Sequence, residues 1–316
     1  MKNLIFLLGL PRSGTTLLQR VLSAHPEVAS ITEPWVLLPL VTCFDAQITR
    51  SVYGHNVLER AIADLKVEVG HFQQQHDNHI RSFINEIYTP LRGNKKYFLD
   101  KTPRYYLIAE ELHRLFPDAK FIYLFRNPID IYDSVIKTFY EGQLWRLPFN
   151  YMDVTEGLNL LCKPFEHSRN ALKISYEDFC ADGENAVGQI CNYLEIEYRP
   201  EILTQFSQVK FSGMLGDPMQ DLLDKVTNSP KAQQPISAIR RRFYAQWLGN
   251  ISELAWEVSG YQRDNLLFQL ESRPVAGIRQ QMSDCRDVAS FARQLRLSRL
   301  SQRYLGEKSK YGDFFF

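Results

Sequence analysis

The chain has 316 residues, 45% of them hydrophobic and 23% charged, which excludes a mainly disordered, collagen-like or membrane-embedded polypeptide. Lys+Arg 37 against Asp+Glu 36 leaves a net charge of +1, so no global field favours nucleic acid, and any anion site must be local. The length suits one large α/β domain with an appendage or two modest domains. The five cysteines, Cys43, Cys162, Cys180, Cys191 and Cys285, contain no C-x-x-C pair. That pattern argues against a disulfide framework or zinc knuckle and predicts a reducing, cytoplasmic setting.

In chain order, Leu4 to Leu8 is an apolar run too short to cross a membrane. It leads into Gly-Leu-Pro-Arg rather than a small-residue cleavage site, so it predicts a buried strand. Further strands are expected at Tyr97 to Leu99, Phe121 to Phe125 and Ala171 to Ser175. Helical spacing falls between them at Gly14 to Ser23, Asp77 to Leu91, Tyr105 to Phe116, Pro128 to Tyr140 and Tyr176 to Tyr193. This alternation predicts an α/β, P-loop-like three-layer fold, a central parallel sheet flanked by helices, with ligands beyond the carboxyl ends of the strands. The stretch Ser212 to Pro235 is rich in turn formers and predicts a long loop, whose part from Asp217 to Gln234 would close over a ligand.

Helical patterning resumes from Ile236 to Val258, and Gly260-Tyr261 reads as the end of a domain covering 1–263. Residues 264–316 then read as a basic amphipathic helical tail, a C-terminal extension. Ile278, Met282, Cys285, Ala289, Ala292 and Leu295 keep helical spacing, while Arg279, Arg286 and Arg293 recur every seven residues on another face. A lone amphipathic helix is marginal in water, so the stripe is expected to be buried. It would lie on its own domain or a second subunit, or else dock to a partner protein or anionic membrane with Arg296 and Arg303 contributing.

The chemistry-bearing motifs lie after the predicted strands. Gly9-Leu10-Pro11-Arg12-Ser13-Gly14-Thr15-Thr16 leads into the apolar helix Leu17 to Leu22, a strand, tight turn and helix N-terminus. Glycines there let several N–H groups converge on one anion at the positive end of the helix dipole. The spacing is that of the nucleotide loop G-x-x-x-x-G-K-[ST], but Thr15 stands where its lysine would be. The plain alternative is a generic Gly-bearing turn. A second cluster is Asp100-Lys101-Thr102-Pro103, and a third runs from Arg126 at a strand end to Ser134 within the next helix. Arg126 and Ser134 could converge on another phosphate. Each alone is equally compatible with a solvated or structural charge.

Taken together, LPRSGTT followed by LLQRVLSAHPEV, then DKTPRYY, then LFPDAKFIYLFRNPIDIYDSV, resembles the sulfotransferases that use 3′-phosphoadenosine-5′-phosphosulfate (PAPS). The likeness is to the bacterial branch similar to tyrosylprotein sulfotransferases. It covers about residues 3–261 and does not extend into the tail. It implies that Arg12, Ser13, Gly14, Thr15 and Thr16 cradle the 5′-phosphosulfate, that Arg126 and Ser134 hold the 3′-phosphate, and that Tyr176 of Ile174-Ser175-Tyr176-Glu177 lies near the nucleotide. It also accounts for the absent lysine: a sulfuryl group carries less charge than a γ-phosphoryl group, so the lysine and Mg²⁺ clamp can be dispensed with and no metal is required.

The resemblance further implies Glu33, in Ile31-Thr32-Glu33-Pro34-Trp35, as the base that takes the acceptor proton. Lys101 would lie near the bridging oxygen, and Arg12 would stabilise developing charge. The tyrosylprotein enzymes carry G-E-E-T-R here; Thr32 and Trp35 replace its first glutamate and its arginine. The acceptor is therefore expected to be a hydroxyl-bearing small molecule or lipid-like metabolite rather than a peptide tyrosine. As plain alternatives, Glu33 would be a helix N-terminal carboxylate and Lys101 a surface partner of Asp100.

His71, His76 and His79 lack metal-ligand spacing and read as surface or core, and His25 as a helix-end residue supporting the loop. Ser229 and Lys231 are candidate phosphate contacts in the closing loop. The run Arg240-Arg241-Arg242 is a further candidate contact or a solvated face. Aromatics including Tyr53, Phe72, Tyr88, Tyr140, Trp145, Phe149 and Tyr151 suit an apolar acceptor pocket or plain core. The expected reaction is in-line sulfuryl transfer from PAPS with release of 3′-phosphoadenosine-5′-phosphate (PAP). The alternatives are an ATP-dependent phosphotransferase or a non-catalytic nucleotide-binding scaffold on the same fold.

Overall fold

A computed structural model describes residues 2–45, 48–49, 54–143, 150–168, 171–211 and 234–305. Five strands, β1 Leu4–Leu8, β2 Val28–Ser30, β3 Tyr97–Asp100, β4 Lys120–Phe125 and β5 Ala171–Ser175, form one sheet in the order β2-β3-β1-β4-β5. β1 pairs in parallel with both β3 and β4, with Phe6 opposite Asp100 on one side and Phe121 on the other. β3 in turn pairs in parallel with β2. Every residue of β1 is buried, which explains its unbroken apolar run: a central parallel strand is covered on both faces. The α/β class expected from the alternation is therefore the architecture observed.

Among the described residues the α-helices are α1 Thr15–Ser23, α2 Leu37–Thr42, α3 His55–Glu68, α4 Phe72–Arg92, α5 Ala109–Leu115, α6 Pro128–Tyr140, α7 Tyr151–Thr155 and α8 Gly157–Cys162. They continue with α9 Tyr176–Ala181, α10 Gly183–Leu194, α11 Ile202–Gln205, α12 Ala238–Gly249, α13 Glu253–Ser259, α14 Arg263–Glu271 and α15 Ile278–Leu305. The expected helix from Tyr176 to Tyr193 is two, because the Asp182 side chain accepts the Asn185 N–H at 3.0 Å and starts a new helix. The three-residue β2 carries no periodic signal and escapes sequence reading.

The chain resolves into two compact units, one of Met1–Gly9, Gly14–Leu124 and His167–Thr227, the other of Leu10–Ser13, Phe125–Glu166 and Asn228–Phe316. In the first, Ile5, Leu7, Leu18, Val21, Leu99, Ile122, Val187 and Ile190 belong to one buried cluster between sheet and helices. In the second, α6 and α12 meet through Tyr132, Tyr244 and Trp247, with ring centroids 5.2 to 5.4 Å apart. Behind them Asp133 accepts hydrogen bonds from Tyr244 Oη at 2.8 Å and Arg273 Nη1 at 2.9 Å. Among the described residues no helix is long and apolar enough to cross a membrane.

Within the chain itself, the described part of the C-terminal helix does not bury its apolar stripe. Ile278 and Met282 of the apolar stripe are 76% and 61% exposed, whereas Asp284 is fully buried. Asp284 pairs with Arg240 Nη2 at 2.6 Å and accepts the Ser237 hydroxyl at 2.5 Å. A buried ion pair, rather than the apolar stripe, thus turns α15 toward its unit, and Arg240 of the basic run is a structural residue. Arg241 likewise donates to the Arg273 carbonyl at 2.7 Å, and Arg242 is exposed.

Candidate active site

In the first unit the site starts where β1 hands over to α1. Gly14 caps α1 at φ 97°, in the left-handed region, and no side chain caps the helix. The first-turn N–H groups of α1 therefore lack the usual side-chain acceptor and are available to an anion. The Tyr176 ring lies against Gly14 so closely that a Cβ there would stand 2.4 Å from its Cδ2 and Cε2. Gly14→Ala combines this overlap with a left-handed cost of roughly 1–2 kcal/mol. It is expected to lower the melting temperature and weaken PAP binding, both readable in one thermal-shift series.

The segment after β2 brings Glu33 to this point. Gln19 of α1 donates to the Ile31 carbonyl at 2.7 Å and to Ser30 Oγ at 2.9 Å, and Ser30 Oγ donates to the Leu99 carbonyl of β3 at 2.8 Å. So pinned, Glu33 meets Lys101, which follows β3: Nζ to Oε1 is 2.7 Å, with side-chain exposures of 1% and 9%. Lys101 Nζ also donates to Thr16 Oγ1 at 3.2 Å. The plain alternative for Lys101, a surface pairing with Asp100, does not fit a side chain that is 1% exposed and meets Glu33. Asp100 instead accepts hydrogen bonds from Tyr88 Oη at 2.6 Å and Tyr105 Oη at 3.0 Å.

Burial pushes the Asp100 carboxyl up from 3.8 to about 7, with its hydroxyl donors and Lys101 pulling the other way. A carboxyl whose folded value is raised stabilises the fold below that window and loses the contribution as pH climbs through it. The unfolding free energy of the natural chain minus that of Asp100→Asn is therefore expected to fall by roughly 2–4 kcal/mol from pH 4 to 7. Paired denaturant titrations across that range check it.

In the second unit Arg12, Arg126 and Ser134 come together. Arg126 Nη1 donates to the Arg12 carbonyl at 2.8 Å, and Arg12 Nε donates to Ser134 Oγ at 3.2 Å. Arg12 adopts φ 69° and sets its guanidinium carbon 5.8 Å from the Phe139 ring centre. Ser13 Oγ is buried and makes no hydrogen bond among the described residues. Asn127 caps α6 by accepting the Ile129 N–H at 2.9 Å, with Pro128 in the first turn, which fixes the helix bearing Ser134.

The remaining sequence candidates separate cleanly. His25 Nδ1 accepts the Glu27 N–H and its Nε2 meets the Glu197 carbonyl at 2.9 Å, so it braces the turn before β2. His76 meets Phe44 in a tilted ring contact, centroids 5.1 Å apart, and burial lowers its pKa; His71 and His79 are exposed. Among the described residues no group of three or more His, Cys, Asp or Glu side chains is placed to hold a metal ion. Tyr88 is core, while Tyr53, Trp145, Phe149, Ser229 and Lys231 lie outside the described residues. Gln19 went unread as a site residue, and Asp100, Thr102 and Trp35 were named only as neighbours of Lys101 and Glu33, because the hydrogen bonds that join them across the chain are set by the fold.

A glycine-capped turn between the first strand and first helix of a parallel sheet, with buried Ser, Thr and Lys around it, places the protein among the phosphate-loop-like α/β proteins. A model of the sulfotransferase family matches residues 4–200, and the chain belongs to that family. It is similar to nodulation protein NoeE of Sinorhizobium fredii, 34% identical over 146 residues, 46% of this chain and 32% of that protein. It is also similar to protein-tyrosine sulfotransferase 2 of Gallus gallus, 27% identical over 256 residues, 78% of this chain and 64% of the relative. The match thus spans about a third of the first relative's length and just under two thirds of the second's. In fold it resembles the sulfotransferase domain from the curacin biosynthetic pathway, with TM-score 0.50 and 19% identity over 77% of this chain and 96% of that one.

Proposed function

We propose that the protein transfers a sulfuryl group from PAPS to an acceptor hydroxyl by in-line displacement and releases PAP. The observation that carries this reading is the buried Glu33–Lys101 pair beside Thr16 at the head of α1, a proton acceptor and a cation beside an anion-binding helix start. Glu33 takes the acceptor proton, and Lys101 stabilises charge on the bridging oxygen. Thr15, Thr16 and the Gly14 turn hold the 5′ end, with the Tyr176 ring against the turn. In the second unit Arg126 and Ser134 hold the 3′-phosphate, with Ser13 and Arg12 as neighbours in the chain that reaches the loop; Arg12 also stabilises charge on the transferred group. We further assign Ser229 and Lys231 to the cofactor.

The relatives named for nodulation and for protein tyrosine leave the acceptor class open between them. Thr32 and Trp35 beside Glu33 favour a small or lipid-like hydroxyl compound over a peptide tyrosine. Five unpaired cysteines, three of them buried, support a reducing, cytoplasmic location.

The test is ligand selectivity without divalent metal. PAP is expected to raise the melting temperature in the presence of a chelator, and AMP to raise it much less, because only PAP carries a 3′-phosphate. Equal shifts from PAP and AMP, or a strict Mg²⁺ requirement with preference for ATP, would overturn the assignment in favour of a phosphotransferase.

A further inference from the structure

Trp35 is half-buried and held at both its backbone and its side chain. It sits at φ 57°, a conformation that a bulky residue seldom adopts and that persists only where the surroundings impose it. Its backbone N–H donates to Thr102 Oγ1 at 3.3 Å, and its carbonyl accepts the Leu38 N–H at 3.2 Å at the start of α2. Thr102, almost fully buried, turns its own hydroxyl proton toward Asp100 Oδ1 at 3.5 Å. From this seat the Trp35 indole Nε1–H donates to Glu33 Oε2 at 3.0 Å.

Glu33 therefore has two different restraints. Oε1 faces the Lys101 ammonium and Oε2 faces the neutral indole N–H. In the reaction proposed above, on which this inference rests, Lys101 serves the bridging oxygen and Oε1 must be free to accept a proton. An ammonium that turns to another anion releases the carboxylate, whereas the indole N–H, on a strained backbone, has no second acceptor among the described residues. The polarity of the chain of donors is consistent throughout: Trp35 N–H to Thr102 hydroxyl to Asp100 on one side, and indole N–H to Glu33 on the other.

We propose that Trp35 is the positioning residue for Glu33, keeping its carboxylate aimed by the indole N–H while Lys101 engages the transferred group, with Thr102 and Asp100 fixing the Trp35 backbone. The side chain would act through Glu33 and would make no contact with the sulfuryl group itself.

Two measurements on the full chain test this. The chain has four tryptophans, so ¹⁵N labelling yields four indole cross-peaks, and Trp35→Phe identifies the one that belongs to Trp35. That peak is expected downfield, as for a donor to a carboxylate, and Glu33→Gln should move it upfield while the other three stay. Turnover is then read as PAP release from PAPS with water as the acceptor. Trp35→Phe should lower kcat on the order of tenfold or more with KM for PAPS unchanged, because aim is lost while donor binding is kept. Thr102→Val, which keeps the indole but loosens its seat, should give a smaller fall in kcat and shift the same cross-peak. A Trp35 cross-peak indifferent to Glu33→Gln overturns the inference. So does unchanged kcat in Trp35→Phe when Glu33→Gln is impaired, and that result leaves Glu33 as the base. If Glu33→Gln itself retains full turnover, the base assignment falls first and the inference with it.

Discussion

Glu33→Gln is expected to lower sulfuryl transfer to the native acceptor on the order of 10²-fold or more, with PAP affinity near that of the natural chain. The substitution keeps the shape of the side chain but replaces a basic carboxylate by an amide far too weakly basic to take the acceptor proton. It also removes the counter-charge of Lys101, a lysine with 1% of its side chain exposed, so a buried ammonium is left facing an amide. Because the amide carbonyl still accepts from Lys101, the destabilisation should be well short of that from deleting the side chain, and a melting curve for the variant separates lost chemistry from lost fold. Steady-state rates with the native acceptor decide the outcome. An activated phenol would be a poor probe, since its hydroxyl needs no base. Retained turnover with the native acceptor would move the base to a histidine.

Arg126→Ala is expected to weaken PAP by roughly 2–4 kcal/mol and to leave AMP nearly unaffected, since a charge-assisted, partly desolvated phosphate contact is removed. Arg126 also holds the Arg12 carbonyl at 2.8 Å, so part of the loss could come from a displaced loop. Arg126→Lys separates the two: the charge remains but the planar fork that reaches both a phosphate and a carbonyl does not. Calorimetric titration of PAP and AMP into the three proteins gives the comparison. An equal loss for AMP would assign Arg126 to loop support rather than to the 3′-phosphate.

Much of the candidate site is legible in the sequence because its residues are tied to strand ends. The turn from Gly9 to Thr16 follows an apolar run and precedes an apolar helix, and short-range sterics alone require the glycine found at φ 97°. Lys101 and Arg126 follow directly from β3 and β4, so a correct strand reading already places them at the carboxyl edge of a parallel sheet. What could not be read is pairing across long separations. Lys101 lies 68 residues from Glu33 and 85 from Thr16, and Trp35 lies 67 from Thr102.

The C-terminal helix is the opposite case. Its apolar stripe is plain in the sequence, yet Ile278 and Met282 face outward and Asp284 is the buried residue. Within this one chain, hydrophobic spacing does not decide which side of the helix is turned inward. Here Asp284 finds Arg240 and Ser237, an ion pair and a hydroxyl supplied from more than forty residues away, and no local pattern announces such partners.

The sequence by itself therefore determined the α/β class, the anion-binding turn and the identities of Glu33, Lys101, Arg126 and Ser134 as candidates. The class, the turn and the charges Lys101 and Arg126 follow from local rules, namely periodicity, the left-handed freedom of glycine and the position of charges at strand ends, whereas Glu33 entered only through the resemblance to the PAPS-dependent sulfotransferases. Only the tertiary structure decided that Lys101 pairs with Glu33 rather than Asp100, that Trp35 and Thr102 belong to the same network, and that Arg12 turns to Ser134. The reason is that a buried charge or hydroxyl must find its partner wherever the packed chain presents one, and that geometry is set by the whole sheet and its helices rather than by neighbours in sequence.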